Sequence, residues 1–153
     1  MQLIFSCLIV LAMLSSCTSF RPGYKALLSG EAGGKDVSRL IEKAQELEAR
    51  AGTEEEVIDL IEAYKEIEKA DPMNYYALWK IGNYHMLMGA AYAEKRKDKK
   101  HHYKTAVLYC EKAMCTNAAF QNATRNGAKV TEALDVLTTG EIDAMGYWYT
   151  ARF

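Results

Sequence analysis

From residue 37 onward, apolar side chains recur at helical spacing. Val37, Leu40, Ile41, Ala44 and Leu47 fall at i, i+3, i+4, i+7 and i+10, which predicts a first amphipathic helix stopped by Gly52. Thr53 and Glu56 then have the spacing of a capping box, in which each side chain satisfies a backbone N–H at a helix start. The helix that follows carries Val57, Leu60, Ile61, Tyr64 and Ile67, and ends at Asp71-Pro72 because a residue before proline avoids helical angles. The next pattern, about residues 74–93, is apolar on nearly every side: Tyr75, Tyr76, Leu78, Trp79, Ile81, Tyr84, Met86, Leu87 and Met88. Such a helix must be sandwiched between neighbours. A basic stretch, residues 94–102, follows. A fourth helix is expected over about 103–115 with Ala106, Val107, Cys110, Ala113 and Met114 inward, a fifth over about 118–137 with Phe120, Ala123, Val130, Ala133 and Leu134, and a sixth from near Glu141. Alternating strand patterns and hairpin signals are absent from the sequence, so the fold class is all-α.

The amino-terminal segment has another character. Residues 3–14 form an apolar run of signal-peptide length, shorter than the roughly 20 residues of a spanning helix. It closes on Leu14-Ser15-Ser16-Cys17, the shape of a bacterial lipoprotein cleavage site: two small residues admit a peptidase and a thiol follows to take the lipid. Residues 1–16 are read as a lipoprotein signal peptide, 17–34 as a lipidated tether containing Arg21-Pro22-Gly23, and 35–153 as the helical repeat domain. Met1 and Gln2 bring no Lys or Arg, which keeps open an ordinary signal cleaved elsewhere, or an uncleaved anchor. One acyl chain binds a bilayer marginally and two or more bind stably, at about 0.8 kcal/mol per methylene. Thr18 after Cys17, where aspartate marks inner-membrane retention in many Gram-negative bacteria, points to an outer-membrane anchor facing the periplasm. Removing the signal leaves 137 residues (153 − 16), enough for one domain with a core. A net charge of −1 provides no field to recruit nucleic acid.

Helix pairs of this length invite a repeat test. Ile81-Gly82 falls at the Leu-Gly position of a tetratricopeptide first helix, where glycine allows close helix approach, and Gly89 falls at the turn. Ala106, Cys110 and Ala113 match the small, bulky and small positions of the second helix; Tyr64, Ile67 and Asp71-Pro72 match the end of the preceding unit. Asn126-Gly127 repeats the first-helix glycine in the next unit. The spacing departs from the 34-residue period: about twelve extra residues separate Gly89 from Ala106, so either the third helix overruns or a basic loop is inserted, and Ala118 stands where proline is expected.

On residues 14–17, 64–72, 75–89 and 103–113, and on the aromatic run Gly146-Tyr147-Trp148-Tyr149, the chain resembles the T-component lipoproteins of TRAP (tripartite ATP-independent periplasmic) transporters. The resemblance covers most of the chain after the signal. It implies an irregular tetratricopeptide-like array and a lipid-anchored, periplasm-facing helper that binds the transporter's substrate-binding protein. Members of that family form a pore-like channel through the array, proposed to pass an apolar or carboxylate ligand, and are longer than this chain. The carboxyl end, residues 147–153, is aromatic and lacks a polar capping unit, which stacked repeats need. The expectation is a chain truncated at its carboxyl end; the competing reading is a short protein that covers this end by dimerising.

The remaining chemistry is sparse. Cys110 and Cys115, five apart on a helix, face different ways and read as packed thiols. Adjacent His101 and His102 point about 100° apart among Lys95, Arg96, Lys97, Lys99 and Lys100, and read as a solvated basic loop without a metal. The same cluster could also meet anionic lipid headgroups. Glu54, Glu55 and Glu56 suit the positive end of a helix dipole. His85 reads as a satisfied core histidine. The expected partner-binding stripe is Tyr76, Trp79, Asn83 and Met86 on the third helix, either lining a groove or packing against neighbouring helices. No nucleophile with its base, phosphate loop or metal spacing is present in the sequence, so neither enzyme nor cofactor is expected. Two alternatives to the transporter accessory remain: a tetratricopeptide-like scaffold lipoprotein of another cell-envelope assembly machine, and an envelope enzyme whose site the sequence does not display.

Overall fold

The computed structural model describes residues 37–152. The signal segment, Cys17 and the tether lie outside the described residues, as does Phe153. Within them the chain forms seven α-helices and no strands: α1 (Val37–Glu48), α2 (Glu54–Ala70), α3 (Tyr75–Leu87), α4 (Arg96–Met114), α5 (Ala118–Arg125), α6 (Val130–Ala133) and α7 (Ile142–Arg152). Short 3-10 turns at Leu134–Val136 and Thr139–Glu141 link α6 to α7.

Local chemistry sets the boundaries. The Thr53 hydroxyl accepts from the Glu56 N–H at 3.3 Å, and the Glu56 carboxylate accepts from the N–H groups of Gly52 and Thr53, each at 2.9 Å, so the capping box forms. The N–H groups of Gly52 and Thr53 hold the Glu56 carboxyl below its ordinary range. Extended angles at Asp71 (φ −141°, ψ 91°) end α2 before Pro72. Asn74 then caps α3, accepting from Ala77 N–H at 3.1 Å.

Three expectations are corrected. Residues 96–102 of the basic stretch are not a loop, because α4 starts at Arg96. The segment lacks Gly and Pro and is rich in straight-chain helix formers, and its later turns pack against α3, which outweighs the unfavourable cations near a helix start. Gly89 is not a turn: α3 runs on into a π turn, Met88–Tyr92, and a Cβ at Gly89 would lie 2.9 Å from the Tyr103 ring. The extra length between Gly89 and Ala106 is therefore helix on both sides of a short link at 93–95. The single fifth helix is broken instead. Gly127 takes φ +100°, Ala128 N–H reaches Ala123 C=O at 3.1 Å and Gly127 N–H reaches Thr124 C=O at 3.2 Å. That pairing is a Schellman stop, and Gly127 ends a helix rather than packing one.

α3 is the centre. It packs against α2, α4 and α7, while α1 covers α2. One core joins Ala44, Leu60, Ile61, Tyr64, Ile67 and Ile81 between α1, α2 and α3. A second joins Leu78 to Val107, Cys110, Met114, Phe120 and Trp148 across α4, α5 and α7. The two meet along α3, as its all-round apolar pattern requires. α7 runs parallel to α3: Ala144 N–H donates to the Tyr75 hydroxyl at 3.4 Å, and further along Tyr147 stacks on Trp79.

The α3–α4 seam is tight at Gly82. A Cβ there would lie 2.6 Å from Cys110 Sγ and 3.2 Å from the Ala106 carbonyl oxygen, and Cys110 is fully buried. Gly82→Ala gains helix propensity of about 1 kcal/mol but overpacks a seam whose backbone is in the way. The expected net result is a loss of about 1–2 kcal/mol, read from the urea midpoint with the helical signal retained. Unchanged or raised stability would show that the seam can widen.

Candidate functional site

On α3 and its neighbours, aromatic rings form a connected row. Tyr84 stacks on Tyr64 at 6.0 Å between centroids, Tyr64 meets Tyr76 edge-on at 5.8 Å, and Tyr76 meets Trp79 edge-on at 5.7 Å. Trp79 then lies flat on Tyr147 of α7 at 5.8 Å with 8° between planes. The row crosses α2, α3 and α7. Tyr64 is fully buried at its base, whereas Tyr76, Trp79 and Tyr147 are half-buried.

A polar node sits on the row. Glu48, the last residue of α1, accepts from the hydroxyls of Tyr64 and Tyr84, each at 2.7 Å, and pairs with the Lys80 ammonium. Burial favours the neutral Glu48 acid, but the bonds from Lys80, Tyr84 and Tyr64 outweigh it and hold the carboxyl below its ordinary range. Burial and the Glu48 carboxylate push the Tyr84 phenol upward. Lys80 Nζ lies 4.8 Å from the Trp79 ring centre and 5.4 Å from that of Tyr76, so the ammonium faces the aromatic row as well as its carboxylate. Four helices thus contribute to one surface of aromatic faces, phenol oxygens and a clamped ion pair. Such a surface suits recognition of a partner, with large rigid contact area and few fixed polar handles.

The expected stripe divides. Tyr76 and Trp79 belong to the row, each packed against a neighbouring helix yet still partly exposed. Asn83 is half-buried one turn further on. Met86 lies beyond it, lining a cavity of about 340 Å³ with Ala90, Tyr103, Thr150, Ala151 and Arg152. Cys110 and Cys115 are buried, and neither is in a disulfide. Burial pushes the Cys110 thiol upward, away from reactivity.

Three interactions escaped the sequence reading. Glu68 of α2 pairs with the Lys112 ammonium and accepts from the Tyr109 hydroxyl at 3.2 Å. His85 Nδ1 and His102 Nδ1 approach to 3.1 Å across the α3–α4 seam, so His102 is no part of a solvated loop. Glu111 is fully buried, with Oε1 accepting from Trp148 Nε1–H at 2.9 Å while Oε2 has no hydrogen-bond partner among the described residues. A signal for the last was present: Glu111 is four residues after Val107 and three before Met114, on their inward face.

Burial pushes the Glu111 carboxyl up to about 7, against the opposing effects of the Trp148 bond and the Arg152 charge. A raised acid stabilises the fold fully below its unfolded pKa and loses that contribution as pH rises through the folded value. The Glu111 contribution is therefore expected to fall by about 2 kcal/mol between pH 5 and pH 8.5, read as the growing stability of Glu111→Gln relative to the parent over that range. Urea midpoints across that range measure it, and an equal slope in both proteins would remove Glu111 as its source. At the other node, Glu48→Gln leaves Lys80 without its carboxylate and weakens two phenol bonds. The expected cost is about 2 kcal/mol, again by denaturation, with Tyr fluorescence reporting the local change.

Among the described residues no helix is long and apolar enough to cross a membrane. Comparison with protein-family models, curated proteins and solved structures returns no match.

Proposed function

We propose that this chain is a lipid-anchored, periplasm-facing accessory of a TRAP-type transporter, held at the outer membrane by acyl chains on Cys17. Its partner is the transporter's periplasmic substrate-binding protein, and a small apolar or carboxylate ligand is a further candidate. It carries no catalytic role. The observation that carries the proposal is the aromatic row through Tyr76, Trp79 and Tyr147, which spans several helices and keeps half-exposed rings together. The helix order supports a tetratricopeptide-like reading: α1 with α2 and α3 with α4 act as pairs, α7 opens a third pair parallel to α3, and Gly82 sits where two helices come closest. The cavity beside Met86, with Ala90, Ala151 and Tyr103 in its wall, offers apolar surface to a small ligand.

Two measurements test this reading. Mass spectrometry of the amino terminus from membranes is expected to show an acylated Cys17; a free Cys17, or cleavage at another bond, would remove the anchor. Calorimetric titration with the purified TRAP substrate-binding protein is expected to show binding that weakens at least about tenfold in Trp79→Ala. No binding, combined with specific crosslinking to an outer-membrane assembly complex, would turn the assignment to an envelope scaffold. Hydrolysis of an envelope substrate, lost on changing one polar groove residue, would turn it to an enzyme.

A further inference from the structure

His85 comes from the last turns of α3 and His102 from the second turn of α4, and both helices are fixed by the tight seam between them. Their rings approach with Nδ1 facing Nδ1 at 3.1 Å. In the metal-free protein one of these nitrogens carries a hydrogen and the other accepts it. The same geometry suits another occupant. An ion held about 2.0–2.1 Å from each of two imidazole nitrogens, with ligand angles of about 90–110°, puts those nitrogens about 2.9–3.4 Å apart. The two nitrogens are already at this separation. The Tyr109 ring stacks on His85 at 6.2 Å and 17°, and Tyr109 is itself held by its hydroxyl to Glu68. His85 is buried, but His102 is half-buried and His101 beside it is exposed, so the pair is reached from the solvent side of α4.

We propose that His85 and His102 bind one divalent transition-metal ion of the zinc or copper class through their two Nδ1 atoms, with water completing the coordination. Each ring stays neutral and keeps its hydrogen on Nε2, so binding needs a tautomer change and no net loss of protons. No group of three or more His, Cys, Asp or Glu side chains suited to one ion exists among the described residues, so this is an open two-ligand site rather than a closed structural one. The groups around it are Lys65 and Glu62 of α2, paired with each other at 2.8 Å, Glu54 at the α2 start, and Asp98 and His101 of α4. Burial, together with the neighbouring His102, His101 and Lys65, pushes the His85 imidazole down to about 4, and burial with His101 lowers His102 too. Protons therefore compete with the ion less than at an ordinary histidine pair.

Zn²⁺ titrated by calorimetry into the full chain in detergent, and Cu²⁺ followed by electron paramagnetic resonance, test the site. One ion per chain is expected, with nitrogen hyperfine structure from two imidazoles. His102→Gln is expected to weaken binding at least about tenfold, and His85→Gln likewise, while His101→Gln leaves it unchanged. Equal binding by His102→Gln and the parent, a copper spectrum without two nitrogens, or no binding at about 1 mM Zn²⁺ would each overturn the proposal. Circular dichroism of the variants separates lost ligation from lost folding, and the copper spectrum of the parent stands whatever the variants do.

Discussion

The close approach of α3 and α4 is the constraint on which the rest depends. Gly82 leaves no room between its Cα and the Cys110 side chain, so the axes are drawn together there. One and two turns along, the same approach brings His85 to His102 and lays the Tyr103 ring over Gly89. With α4 fixed on one side of α3, the other sides are left for α2 and α7. The two apolar clusters then share α3, and their burial stabilises one unit rather than two. A helix apolar all round would be an aggregation hazard alone; here each of its faces has a cover.

Charged groups inside this packing are treated in two ways. Glu48 and Glu68 each meet an ammonium and at least one phenol hydroxyl, which offsets the cost of burial, and at Glu48 these bonds hold the carboxyl below its ordinary range. Among the described residues Glu111 takes a hydrogen bond from the Trp148 indole alone and pairs with no ammonium, so burial favours its neutral acid. The difference matters for α7, because the Trp148–Glu111 bond is the polar contact that fixes it to α4 deep in the second core. The docking of α7 is thereby tied to the protonation of Glu111.

The regular parts of the fold were legible because their signals are local. α1 and α2 announce themselves by spacing, a capping box and Asp71-Pro72, and α3 by apolar residues on every side. The start of α4 was obscure for the opposite reason: residues 96–102 carry charge all round, and nothing local separates a solvated loop from a helix whose packing begins at His102. The break after Arg125 was missed because Phe120, Ala123, Val130 and Ala133 keep near-helical phase across it; only the positive φ of Gly127 reveals the stop. Of the site, the choice of Tyr76 and Trp79 followed from their stripe. Glu48, 36 residues from Tyr84, and His85, 17 residues from His102, could not be paired without the phase of both helices.

The aromatic row and the proposed anchor bear on each other physically. Half of each ring's surface is already spent on its neighbours, so an incoming partner gains modest apolar area from Tyr76, Trp79 and Tyr147. It also loses little entropy, because stacking and the Lys80–Glu48 pair hold those side chains in place beforehand. Modest intrinsic affinity is adequate for a protein confined to a membrane surface within a thin compartment. The proposed tether would raise the effective concentration of platform and partner, and dissociation would have to stay fast enough for the proposed binding protein to cycle. Under the proposed anchoring, a rigid aromatic face on a lipid tether would meet both requirements, whereas a deep enclosing pocket would hold its partner too long.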